Sequence, residues 1–173
     1  MKTYNYLISL WSIMAMLCTS CDRTPVIEVE KDNRHDQLAE HLLEANRYIA
    51  SSEQTQIDGY VARRGWSMET LSCGARFSEY QKGAGSKIEY EDSVTIIYSV
   101  EALNGTKIYN ERKETLVVGR HQTVTGIDAV LLELHIGSRS HIILPSEAAY
   151  GVVGDGDRIP TRTVLVYDLY VKN

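Results

Sequence analysis

Long apolar runs, paired cysteines, an excess of basic residues and metal-ligand spacings are all missing from this sequence, and each absence removes a class of function. The uncharged apolar stretch Leu7 to Leu17 (LISLWSIMAML) falls short of the roughly 20 residues that a membrane-spanning helix needs. There are three cysteines, Cys18, Cys21 and Cys73, too few and too unevenly placed for a disulfide framework. Eighteen Lys and Arg against 23 Asp and Glu give a net charge of -5, which disfavours a role on a phosphate backbone. The adjacent Arg63 and Arg64 read as a solvated helix end. The histidines His35, His41, His121, His135 and His141 are scattered, and none pairs with cysteine at a zinc spacing. Asp155-Gly156-Asp157 has a calcium-like look, but the rest of an EF-hand loop is absent, so an exposed turn is expected. Gly83-Ala84-Gly85 lacks the spacing of a phosphate-binding loop, and no G-x-S-x-G elbow occurs. No metal and no cofactor is expected.

What is present begins with a processing signal. Lys2 and the apolar run after it have the form of a signal-peptide n-region and h-region. Cys18-Thr19-Ser20-Cys21 follows, with small residues before a cysteine as in a lipobox, and Cys18 where Leu is usual. Two readings stand: a lipoprotein signal over 1–20 with lipidation at Cys21, or an ordinary signal peptide with a stray cysteine. On the first, the mature chain begins at Cys21, and Cys73 is left without a disulfide partner. Residues 21–32, with Pro25 and mixed charges, read as a tether.

The remaining chain, 43% hydrophobic and 24% charged over all 173 residues, suits one domain with an extension. A helical extension is expected over 33–65. Leu38, Leu42, Ala45 and Ile49 recur at helical spacing. Ser51 with Gln54 resembles a capping box, which predicts a second helix carrying Ile57, Tyr60 and Val61 and stopping at Gly65. A domain over 66–173 then alternates with period two. Strands are expected at Met68 to Cys73, Phe77 to Gln81, Val94 to Val100, Leu116 to Val118, Ser138 to Leu144 and Thr163 to Val171. Asn104-Gly105 marks a turn, and Ile127, Val130, Leu131 and Leu134 a helix ended by Gly137. The fold class is α+β: an antiparallel sheet with one helix packed on it, preceded by the helical extension.

One stretch is more specific. Residues 144–160 read LPSEAAYGVVGDGDRIP. Pro145, Ala149-Tyr150-Gly151, Gly154 and Ile159-Pro160, followed by a terminal apolar strand, resemble the FKBP family of peptidyl-prolyl cis-trans isomerases. The Val94 to Tyr98 strand, the Asn104-Gly105 turn, and Gly119, Val124, Gly126 and Gly137 fit the same pattern, over about residues 83–172. The signal segment, the helical extension and the stretch LNGTKIY also look like the gliding-motility-type FKBP lipoproteins.

The resemblance implies an FKBP-like half-wrapped antiparallel sheet with a helix across it and an apolar pocket for a prolyl ring between them. It assigns Tyr98 and Tyr150 as catalytic residues, and Ile108, Val124, Ile127, Ile159 and Tyr167 as substrate-binding residues. Val124 would add a backbone N–H, and Tyr150 a hydroxyl for a substrate carbonyl. Four positions depart from the family: Ile127 stands for an aromatic floor, Ile108-Tyr109 for a Phe-Asp pair, and Glu114 for an aromatic. The expected activity is therefore a prolyl isomerase assisting the folding of envelope or secreted proteins, or a catalytically weak binding or chaperone module, or an envelope accessory lipoprotein. Expected partners are proline-containing polypeptides and, through Cys21, a bacterial envelope membrane on its periplasmic side. No nucleic acid is expected, and by family analogy residues 33–65 could form a homodimer.

Overall fold

The computed structural model describes residues 33–172, so the signal segment 1–20, the tether 21–32 and the lipidation site Cys21 lie outside the described residues. In chain order the elements are α1 (Asn33–Arg64), β1 (Glu69–Thr70), β2 (Arg76–Gln81), β3 (Ser93–Ala102), β4 (Lys107–Val117), α2 (Thr125–Leu131), β5 (Arg139–Leu144) and β6 (Leu165–Lys172). A 3-10 turn, Ser146–Ala148, follows β5. The strands form one antiparallel sheet in the order β1-β2-β5-β6-β3-β4.

The break expected at Ser51 does not occur, and α1 is a single helix. The Ser51 hydroxyl donates back to the Tyr48 carbonyl, as a mid-helix serine does, rather than capping a new start. Gln54 reaches the sheet instead, where its Oε1 accepts from Arg76 of β2. Residues 37–48 of the helix are exposed. Its second half docks: Ile57 and Tyr60 are buried with Ile143, Val164 and Val166. Arg76 adds an ion pair to Asp58 at 2.6 Å. Trp66, just past the helix, stacks on His141 at 4.2 Å, and His141 lies 4.4 Å from Tyr80.

Strand alternation assigns the two faces of the sheet. Ile142 and Leu144 of β5, with Leu165, Tyr167, Leu169 and Val171 of β6, point to the main core, where α2 contributes Ile127, Val130 and Leu131. Ile143 and Val166 point the other way and are covered by α1. The end of β5 and the start of β6 are thus buried on both faces. The edge strand β4 is longer than the short apolar run at 116–118, because Lys107 to Thr115 is mostly solvated. β1 keeps only two residues of the predicted Met68 to Cys73 run.

Helix α2 approaches the sheet closely because Gly126 has no side chain. A Cβ there would lie 2.5 Å from Leu144 Cδ2 and 2.9 Å from the Ala148 carbonyl oxygen. Gly126→Ala is therefore expected to lower stability by about 1–3 kcal/mol, read as a lower midpoint in chemical denaturation.

Candidate active site

A cavity of about 370 Å³ opens beside α2 on the core side of the sheet. Its lining includes Ile127, Tyr98, Tyr167, Tyr150, Tyr109 and Glu114. Each arrives for a local reason. Ile127 enters in the first turn of α2 and is fully buried, forming a floor. Tyr98 and Tyr167 are inward-facing residues of the neighbouring strands β3 and β6, with ring centroids 5.5 Å apart. Tyr150 follows the 3-10 turn and is 36% exposed, so it lies at the rim.

On β4 the inner face changes character along the strand. Leu116 is buried, and the next inward positions toward the strand's start, Glu114 and Arg112, line the cavity. Glu114 accepts a 2.7 Å hydrogen bond from the Tyr98 hydroxyl. The Arg112 guanidinium lies 4.0 Å over the Tyr109 ring.

Asp155 organises the opposite rim. Its Oδ1 accepts the backbone N–H groups of Asp157, Arg158 and Ile159 at 2.9, 2.9 and 2.7 Å. Its Oδ2 accepts from the Tyr109 hydroxyl at 2.7 Å. The acidic turn is therefore more than exposed loop. Asp155 thereby brings a carboxylate to the cavity lining beside the Tyr109 hydroxyl.

These contacts set the protonation states. Burial first, then the Glu114 carboxylate, pushes the Tyr98 phenol well above its ordinary range. Burial also raises the Tyr167 and Tyr150 phenols. The hydrogen bond to Asp155, helped by burial, raises Tyr109. All four phenols remain donors at neutral pH. Desolvation works against the Asp155 carboxylate, but the backbone N–H groups and the Tyr109 hydroxyl outweigh it and hold its pKa at about 2. The Tyr150 hydroxyl has no hydrogen-bond partner among the described residues.

Of the residues assigned by resemblance, Tyr98, Tyr150, Ile127 and Tyr167 converge on this cavity. Ile108 and Val124 are half-buried against the core and Ile159 is buried within it; none of the three is a lining residue. Val124 is the N-cap of α2, and its carbonyl accepts from Ile127 and Asp128. Its N–H has no partner among the described residues. The sequence reading overlooked Arg112 and Asp155 as site residues. The alternation Arg112, Glu114, Leu116 could have placed Arg112, whereas the Asp155-Gly156-Asp157 pattern marked only a turn and gave no sign of the Tyr109 contact.

The profile of the family described as "FKBP-type peptidyl-prolyl cis-trans isomerase" matches residues 85–172. The chain belongs to this family. A mouse peptidyl-prolyl cis-trans isomerase, FKBP10, is 41% identical over 54 residues, covering 31% of this chain and 9% of the mouse protein. An FK506-binding protein of Neisseria meningitidis serogroup B is 27% identical over 100 residues, covering 56% of this chain and 92% of that protein. The chain spans less than half the length of the first three curated relatives it matches, at 9%, 45% and 13%. Among solved structures, a peptidyl-prolyl cis-trans isomerase from Pseudomonas syringae pv. tomato aligns with TM-score 0.62 and 22% identity, covering 73% of this chain and 93% of that one. The chain thus has the α+β FKBP fold.

Proposed function

We propose that this protein accelerates cis-trans isomerisation of X-Pro bonds in polypeptides, binding the prolyl ring in the cavity over Ile127. The observation that carries this reading is the convergence of an apolar floor, two aromatic walls and one uncommitted phenol, that of Tyr150, on a single opening. Rotation about the peptide bond faces a barrier of about 18–20 kcal/mol and breaks no covalent bond, so neither nucleophile nor cofactor is required. The twisted amide has a less polar carbonyl than the planar one. A dry floor of Ile127, with Tyr98 and Tyr167, favours the twisted form relative to the solvated ground state. Tyr150 donates to a substrate carbonyl and the free Val124 N–H offers a second donor, together holding the chain bent. Ile108 and Ile159 support the pocket from behind.

The signal segment and Cys21 support a lipid-anchored protein of the bacterial envelope, facing the periplasm and resembling the gliding-motility lipoproteins, with unfolded envelope or secreted proteins as substrates. Exposed Leu38, Leu42, Leu43 and Tyr48 on α1 support a homodimer through residues 33–65.

A second reading, a weakly catalytic binding or chaperone module, is favoured by the charged side of the cavity. Glu114 already occupies the Tyr98 hydroxyl, Arg112 stands beside it, and Ile127 offers less area than an aromatic floor. A proline-limited refolding assay and an X-Pro peptide panel on residues 22–173 separate the two. Isomerisation faster than the spontaneous rate is expected, with Tyr150→Phe lowering kcat/KM about tenfold and Tyr98→Phe lowering it as well. Folded protein that binds peptides but leaves their isomerisation at the spontaneous rate would establish the binding module instead.

A further inference from the structure

Helix α1 places a carboxylate where its docking stripe calls for an apolar side chain. Glu53, Ile57 and Tyr60 follow one another at i, i+4 and i+7, and all three are buried. Ile57 and Tyr60 are explained by the sheet beneath them. Glu53, 6% exposed, is not. Taking a carboxylate out of water is costly unless donors satisfy it, and a leucine at this position would carry no such penalty.

Both donors come from one residue. The Ser146 hydroxyl donates to Glu53 Oε1 at 2.6 Å, and the Ser146 backbone N–H donates to Oε2 at 2.9 Å. Ser146 opens the 3-10 turn directly after Pro145, which has no N–H of its own to contribute. The Ser146 carbonyl then accepts from the N–H groups of Ala149 at 3.1 Å and Gly151 at 2.8 Å. Those two residues bracket Tyr150. Gly74 lies close to Pro145, and a Cβ added there would come within 3.2 Å of the ring. The backbone that aims the Tyr150 phenol is therefore clamped at its start by a side chain of the N-terminal helix.

We propose that Glu53 is a positioning residue for Tyr150: through Ser146 it fixes the 146–151 turn, which makes helix α1 a working part of the isomerase pocket. This rests on the reading of that pocket given above. A double-mutant cycle on the full chain tests it, with Glu53→Gln, Tyr150→Phe and the pair, each assayed for kcat and KM and for thermal midpoint. NMR of the 146–151 amides and of the Tyr150 ring is recorded in parallel. Glu53→Gln keeps the side-chain volume and one acceptor oxygen. It is expected to lower kcat about fivefold to tenfold with little change in KM, and to have no further effect once Tyr150 is Phe. The Tyr150 and Gly151 resonances should move in Glu53→Gln. A lower thermal midpoint with unchanged kcat and unmoved Tyr150 resonances would reduce Glu53 to a stability element and overturn the proposal. So would full additivity in the cycle. If the unmutated protein proves inactive, the isomerase reading fails by itself and the resonances alone decide the positioning claim. Shifted Tyr150 signals uphold it and unshifted ones reject it.

Discussion

A chain shortened to begin at residue 65 is expected to lose about 5 kcal/mol of stability, while one beginning at His41 keeps the stability of the full protein. The contrast follows from where α1 is buried. Residues 37–48 are exposed, so removing the chain before His41 uncovers no packed side chain among the described residues. Cutting at residue 65 removes Ile57 and Tyr60, each contributing about 1.5–3 kcal/mol of burial, and bares Ile143, Val164 and Val166. It also leaves the Ser146 N–H without its acceptor. Against a typical domain stability of about 5–15 kcal/mol, this takes most of the margin, and the exposed sheet face invites aggregation. Urea denaturation of the two shortened chains gives the comparison directly. Equal midpoints and equal slopes would mean that α1 is an appendage after all.

The helix illustrates what the sequence could and could not reveal. Its stripe was legible, but Ser51-x-x-Gln54 has the same spelling at a helix start and in a helix middle. Only the partners decide, and here they are the Tyr48 carbonyl and Arg76, the latter 22 residues downstream of Gln54. The central strands β3, β5 and β6 could be read because burial forces apolar alternation on them. Strand β4 could not, since an edge strand with one solvated face tolerates the run Lys107 to Thr115, which resembles loop. The same logic separates the site residues. Tyr98, Ile127, Tyr150 and Tyr167 belong to spaced motifs and to buried faces. The contact of Asp155 with Tyr109 joins residues 46 apart in sequence, so no local pattern carries it. Glu53, 93 residues from Ser146, was hidden for that reason and for a second one: a glutamate in a helix ordinarily reads as surface.

Asp155→Ala is expected to lower kcat/KM by about tenfold to a hundredfold, the largest effect of any single change at the rim. One carboxylate holds three backbone N–H groups of the loop and the Tyr109 hydroxyl, so its removal releases both walls of that rim together. These bonds lie near the surface, so water replaces part of each when the carboxylate is removed, which limits the loss to that range. Asp155→Asn keeps the side-chain oxygen that caps the loop but weakens the Tyr109 contact, and should fall between the two. The pH dependence follows from the depressed pKa. A carboxyl at about 2 in the folded chain, against an ordinary 3.8, contributes stability that is complete above about pH 4 and is lost as pH falls toward 2. Activity and loop order should therefore be level from pH 8 to about pH 4.5 as far as Asp155 is concerned. Hydrogen exchange of the Asp157, Arg158 and Ile159 amides across that range reads the loop independently of turnover. Fast exchange of all three amides in the unmutated protein at pH 6 would show that the carboxylate does not hold the loop, and the predicted loss on Asp155→Ala would fall with it.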